Sequence, residues 1–174
     1  RLFSLPSGDA EGGIKHLEEV ARSGIYCQKH AVSSRAFIDL YYERNYEEAR
    51  RRFEEFHRQY PNSLDYRLRY LDAIFALTAK GATTYHSSLV DSARAVRTTS
   101  LQRGLDLNPW IRTKLDFIEG FGKYYTRDFE GCRELMEKYL KEREKNSWLT
   151  GPAELLLGKL ADLRGERDLA LQYY

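Results

Sequence analysis

From residue 8 onward apolar residues recur three and four positions apart, as in Ile14, Leu17, Val20 and Ala21, or in Tyr46, Ala49, Phe53 and Phe56. That spacing puts them on one face of an α-helix, whereas the strict alternation of a half-buried strand is nearly absent. The pattern predicts helices over 8–23, 29–43, 46–59, 64–79, 87–105, 109–125, 128–144, 151–163 and 166 to the end. Stops are signalled by Gly24, by YPNS at 60–63, AKGATT at 79–84, LNP at 107–109, KNS at 145–147 and by Gly165. Pro61 and Pro109 disfavour helical backbone in the residue before them and suit the first turn of the helix that follows. The expectation is an all-α chain of about nine short helices, none long enough for an extended coiled coil.

A repeat runs through these helices. The segment YYERNYEEARRRFEEF at 41–56 returns as YYTRDFEGCRELMEKY at 124–139, with weaker copies at GDAEGG (8–13) and GERDLA (165–170). Read directly, Tyr41 and Tyr42 match Tyr124 and Tyr125, Arg44 matches Arg127, and Ala49 matches Cys132. In each copy a turn ends one helix, an acidic residue favours the next N-terminus, and a small residue sits where two helices cross. Gly13, Ala49, Cys132 and Ala170 are that small residue. A large residue one turn on, Leu17, Phe53, Met136 or Tyr174, can fill the space between helices.

On these residues the chain resembles the tetratricopeptide repeat family, whose helix-turn-helix unit carries small-x3-aromatic in its second helix and a proline near its end. Ala49, Phe53 and Pro61 fit, as do Leu157, Gly158, Ala170 and Tyr174, with Gly120 at the small first-helix position and GLDLNP at 104–109 as a repeat ending. No unit has the full tryptophan-leucine-glycine-tyrosine set, and the unit at 64–109 is overlong. The resemblance implies a right-handed α-solenoid as a single domain over 1–174, in units of about 8–24, 29–61, 64–109, 110–146 and 151–174. It also implies a concave groove lined by the first helices. Candidate partner-binding residues there are Ile38, Tyr41, Tyr42, Phe75, Lys114, Phe117, Phe121, Tyr124, Tyr125 and Lys159, beside Ser34, Leu68, Asp72 and Leu155. Tyrosine suits such work through its large contact area, few rotors and polar tip; packing between repeats is the competing use.

Composition narrows the function classes. With 42% hydrophobic and 31% charged residues the chain can bury a core, and 28 basic against 26 acidic residues leave no field that would draw it to nucleic acid. Glu54 and Glu55 interrupt the arginines of RRRFEEFHR, as on a solvated, salt-bridged face. No apolar run is long enough for a membrane span. The chain opens at Arg1 and closes on LALQYY inside a helical pattern, as a fragment or processed product would, and its last helix leaves an apolar face available for self-association.

Catalytic patterns are missing. Cys27 and Cys132 form no CxxC, and His16, His30, His57 and His86 form no HExxH or paired-ligand spacing. The glycines make no phosphate-binding loop. The expectation is therefore a non-enzymatic scaffold for a protein or peptide, without cofactor. Alternatives are a ligand-binding or enzymatic domain using the 79–88 loop, with Tyr85 and His86 as a lid, and a structural self-assembly repeat.

Overall fold

A computed structural model describes residues 9–144 and 147–174. The expected helix start at Gly8, Pro6, and the first two residues of the KNS stop lie outside them. Among the described residues the chain is all-helical, with nine α-helices and one short 3-10 turn. It divides into two compact units, 1–73 and 74–174.

Unit 1 holds α1 (Ala10–Ser23), α2 (Gln28–Tyr41), α3 (Tyr46–Gln59) and residues 64–73 of α4 (Leu64–Ala79). Helix α1 packs on α2 and α2 on α3. Its core is Ala36, Leu40, Ala49, Phe53, Phe56 and Ala73, with Val32, Tyr46, Tyr66 and Tyr70 packed against it. Unit 2 takes residues 74–79 of α4, the 3-10 turn Thr83–Tyr85, α5 (His86–Gln102), α6 (Pro109–Tyr125), α7 (Phe129–Glu142), α8 (Thr150–Leu163) and α9 (Arg167–Tyr173). Consecutive helices from α5 to α9 pack on one another, and α6 also touches α8. Phe117, Ile118, Met136 and Tyr139 lie at its centre.

The helices begin where side chains can satisfy free N–H groups. Asp9 accepts from the Gly12 amide (2.8 Å), Asn108 from Trp110 (2.8 Å) with Pro109 at the first helical position, and Asp128 from Gly131 (3.0 Å). They end in a recurring device. After α4, α5, α6 and α8 a residue of left-handed backbone, Gly81, Gly104, Arg127 or Gly165, follows the last turn. The next residue's N–H bonds the carbonyl five positions back: Ala82 to Leu77, Leu105 to Ser100, Asp128 to Lys123 and Glu166 to Ala161, at 2.9 to 3.0 Å. This is a Schellman cap, which satisfies carbonyls the helix would otherwise leave open. Arg127 performs it at φ 63° without being glycine.

The turn after α2 differs by one residue. Arg44 is also left-handed, at φ 55°, yet the Asn45 N–H bonds Asp39, six positions back, at 2.8 Å. One extra residue is accommodated there. Counting from the shared acceptor carbonyl, Lys123 corresponds to Asp39, Leu77 and Ala161. Gly120 then corresponds to Ala36, Ile74 and Gly158, all buried. The match of Tyr41-Tyr42 to Tyr124-Tyr125 read from the sequence is thus one residue out of register. Tyr125 corresponds to Tyr41, Tyr124 to the buried Leu40 and Thr126 to Tyr42, whose N–H groups bond Gly122 and Ile38 alike, and Glu43 is the added residue.

The small residues behave as expected in three of four copies. Ala49, Cys132 and Ala170 are fully buried, and a Cβ on Gly120 would stand 2.6 Å from Met136 Cε. A Cβ on Gly158 would stand 2.5 Å from Tyr174 Cε1, so this glycine seats the ring. Gly13 is a correction: it is exposed, with nothing within 4 Å of a built Cβ, so no helix crosses there. The helix ends fall within three residues of those expected. The largest shift is at α5, which stops at Gln102 rather than 105 because Gly104 caps it.

Candidate partner-binding surfaces

The corrected register identifies two surface positions on each first helix. One holds Phe37, Phe75, Phe121 and Lys159; the other, four residues later, holds Tyr41, Ala79, Tyr125 and Leu163. The second set is exposed throughout. Residues four apart share a helix face, so each hairpin presents a pair. The pair is Phe-Tyr in α2 and again in α6.

In unit 1 the pair is held from a neighbouring helix. The Phe37 and Tyr41 rings lie 4.5 Å apart, with the Tyr42 ring 6.3 Å from Phe37. Tyr41 Oη donates to Asp72 Oδ2 at 2.7 Å and accepts from Arg69 Nη1 at 2.7 Å, both on α4. Burial and the Asp72 carboxylate push the Tyr41 phenol well above its ordinary range, so it stays a donor. The Arg69 guanidinium stands 5.4 Å from the Phe37 ring and 5.6 Å from that of Tyr41, close enough for cation-π attraction. Phe37 is 38% exposed, Tyr41 41% and Tyr42 73%. This is an aromatic patch whose central ring is fixed and whose outer ring is free to contact.

In unit 2 the equivalent pair continues an internal chain of rings. Phe121 and Tyr125 are 5.0 Å apart, Phe75 meets Phe121 at 5.1 Å, and the His86 ring stacks on Tyr125 at 4.6 Å. Tyr124 turns against Phe129 (5.9 Å), and burial raises its phenol. Tyr125 is 39% exposed.

The sequence-derived candidates separate accordingly. Tyr41, Tyr42, Tyr125 and Lys159 are exposed; Ile38, Phe75, Phe121 and Tyr124 are partly buried. Lys114 is partly buried, with its ammonium 5.0 Å from the Trp110 ring. Phe117 is fully enclosed between Phe75 and Tyr139 and offers no surface, a correction caused by its position on the side of α6 facing the unit's centre. Asp72 is buried as the acceptor that holds Tyr41. Phe37 was absent from the sequence candidates, although aligning Ala36 with Gly120 would have found it.

Buried charge outside the patches ties helices together. In unit 1 the Asp39 carboxylate faces Arg35 Nη1 at 2.9 Å and Arg52 Nε at 3.3 Å, near enough for ion pairing but not aligned as hydrogen bonds. Burial therefore holds its carboxyl above the usual carboxylate range despite both arginines. Glu48, gripped by Arg51 and Arg52, is instead pulled down to about 2. In unit 2 Asp116 accepts from Arg97 at 2.6 Å and pairs with Lys138 at 3.1 Å.

The 79–88 loop folds into the 3-10 turn and the start of α5, so His86 is a helix residue packed on Tyr125. Cys27, His30 and His16 border one shallow recess of about 280 Å³. Among the described residues no three His, Cys, Asp or Glu side chains are grouped to hold a metal. None of the helices there is long and apolar enough to cross a membrane. No family model, no curated protein and no solved structure matches this chain.

Proposed function

We propose that the chain is a non-enzymatic binding scaffold whose first helices present paired aromatic residues to a protein or peptide partner. In this reading its helix pairs are divergent tetratricopeptide-like repeats continuing one right-handed solenoid. Three hairpin turns that share a left-handed residue, and the matching contacts of Gly120 with Met136 and Gly158 with Tyr174, support the repeat part.

The observation that carries the binding part is the Phe37, Tyr41 and Tyr42 patch. A surface aromatic held by hydrogen bonds loses little side-chain entropy on contact, so more of its burial is available as affinity. Arg69 is engaged by Tyr41 and lies 3.4 Å from Asp65, so the patch offers ring faces and the Tyr42 hydroxyl rather than a free cation. That chemistry suits an extended segment carrying apolar side chains.

Selection of peptides from a displayed random library, followed by calorimetry on the selected sequences, tests this. Tyr42→Ala and Phe37→Ala should each weaken binding about tenfold or more, the scale of a truncated aromatic anchor. Peptides that bind both variants as tightly as the parent, with helicity intact, would reject the assignment.

A further inference from the structure

A concavity lies away from the aromatic patch, where the first turn of α2 meets the last turns of α3. It is a cleft of about 370 Å³ lined by Gln28, Lys29, Val32, Arg52, Glu55, Phe56, Gln59 and Tyr60. Its size falls in the lower part of the range of small-molecule sites. From Lys29 to Tyr41 the helix advances twelve residues, about 18 Å at 1.5 Å each, so the two surfaces are separate.

The floor is apolar. Val32 and Phe56 belong to the unit 1 core, and Phe56 stacks on Tyr66 at 4.7 Å and 15°. Tyr60 leans on the same Tyr66 ring at 5.9 Å. Phe56 is a buried core residue, so a flat body laid here would rest chiefly on the half-exposed Tyr60 ring, which the Tyr66 contact already holds in place.

The polar groups are unevenly spent. Gln28 gives its amide to Ala21 O at 2.9 Å, and Gln59 gives its own to Glu55 at 3.2 Å. Arg52 pairs through Nε with Glu48 at 2.8 Å and with Asp39 at 3.3 Å, so its charge is already shared between two carboxylates. The Lys29 ammonium rests 3.5 Å over the Tyr60 ring, and no carboxylate pairs with it among the described residues. Lys29 is thus the cation of this lining that has no carboxylate partner, with Glu55 across the cleft. A cation resting on a ring at the edge of a cleft is placed to attract an anion laid on that ring.

We propose that this cleft binds a small organic anion with a flat apolar body, such as an aromatic carboxylate. Its ring lies against Tyr60 and Val32, and its carboxylate is taken by Lys29.

The test is an amide NMR titration of the whole chain with naphthoate and, separately, with the neutral naphthamide. Naphthoate should shift the amides of Lys29, Phe56 and Tyr60 and bind about tenfold more tightly than naphthamide, a factor that shrinks in high salt. Lys29→Met should abolish that preference while leaving the spectrum folded. Glu55→Gln should tighten naphthoate by removing the opposing charge, a gain that a damaged fold would not produce. Shifts confined to other residues, equal affinity for the two probes, or indifference to both substitutions would each overturn the proposal.

Discussion

Arg127→Gly should stabilise unit 2. Arg127 caps α6 with a φ of 63°, a region costing a residue with a Cβ about 1 to 2 kcal/mol. Glycine removes that cost but forfeits about 0.5 to 1 kcal/mol through the greater freedom of the unfolded chain. The net expectation is a gain of about 0.5 to 1 kcal/mol, which raises the midpoint by about 1 to 4 °C in a chain of this length. Among the described residues no hydrogen bond or ion pair engages the Arg127 side chain, so nothing else is lost. Gly165→Ala, at the equivalent turn after α8 where φ is 76°, should cost about 1 kcal/mol. Arg133→Gly, inside α7, should also destabilise by about 1 kcal/mol, because glycine helps only at the left-handed position. Both tryptophans, Trp110 and Trp148, lie in unit 2, so their fluorescence during denaturation follows the right transition. A less stable Arg127→Gly, or a neutral Gly165→Ala, would refute the shared-cap account.

Three further outcomes are expected. Gly158→Val should push Tyr174 off its seat and cost about 1 to 3 kcal/mol through overpacking, with amide exchange in α9 rising first; unchanged protection would contradict that contact. Tyr41→Phe should cost about 1 to 3 kcal/mol by leaving buried Asp72 short of a donor, while Tyr42→Phe should change stability by no more than about 0.5 kcal/mol; urea titrations with equal shifts would mean that Tyr41 is not the held ring. The two unit 1 carboxylates should respond to pH with opposite sign. Asp39 has its folded pKa raised, so its contribution is fully present below the unfolded value near 3.8 and is lost as pH rises through the folded one. Glu48 has its folded pKa lowered to about 2, so its contribution is present above the unfolded value near 4.5 and is lost as pH falls toward 2. Relative to the parent, Asp39→Asn should gain as pH rises and Glu48→Gln should gain as pH falls; parallel curves would refute the burial argument.

The helices and their ends could be read from the chain because the forces that set them are local. Apolar spacing of three and four, Asn108 before Pro109, and glycines at 81 and 165 act within one turn, and the structure uses each where the pattern placed it. The close approach at Gly120 and Gly158 was legible for a related reason: a glycine inside an otherwise strong helix costs stability unless another side chain needs its space. Gly13 shows where this reasoning stops, since the same residue type in the same pattern faces open solvent when no helix arrives to cross it.

What tertiary structure alone decided is which side of each helix faces inward and how the copies correspond. The doubled tyrosines align in sequence, yet one added residue in the turn after α2, Glu43, pairs Tyr125 with Tyr41 and Thr126 with Tyr42. One residue is about 100° around a helix. That step moves Phe37 into the surface pair, and the inward side of α6 encloses Phe117. Sequence periodicity fixes such faces only relative to one another. The absolute facing, and with it the aromatic patch and the cleft beneath Lys29, depends on which neighbouring helix each face meets.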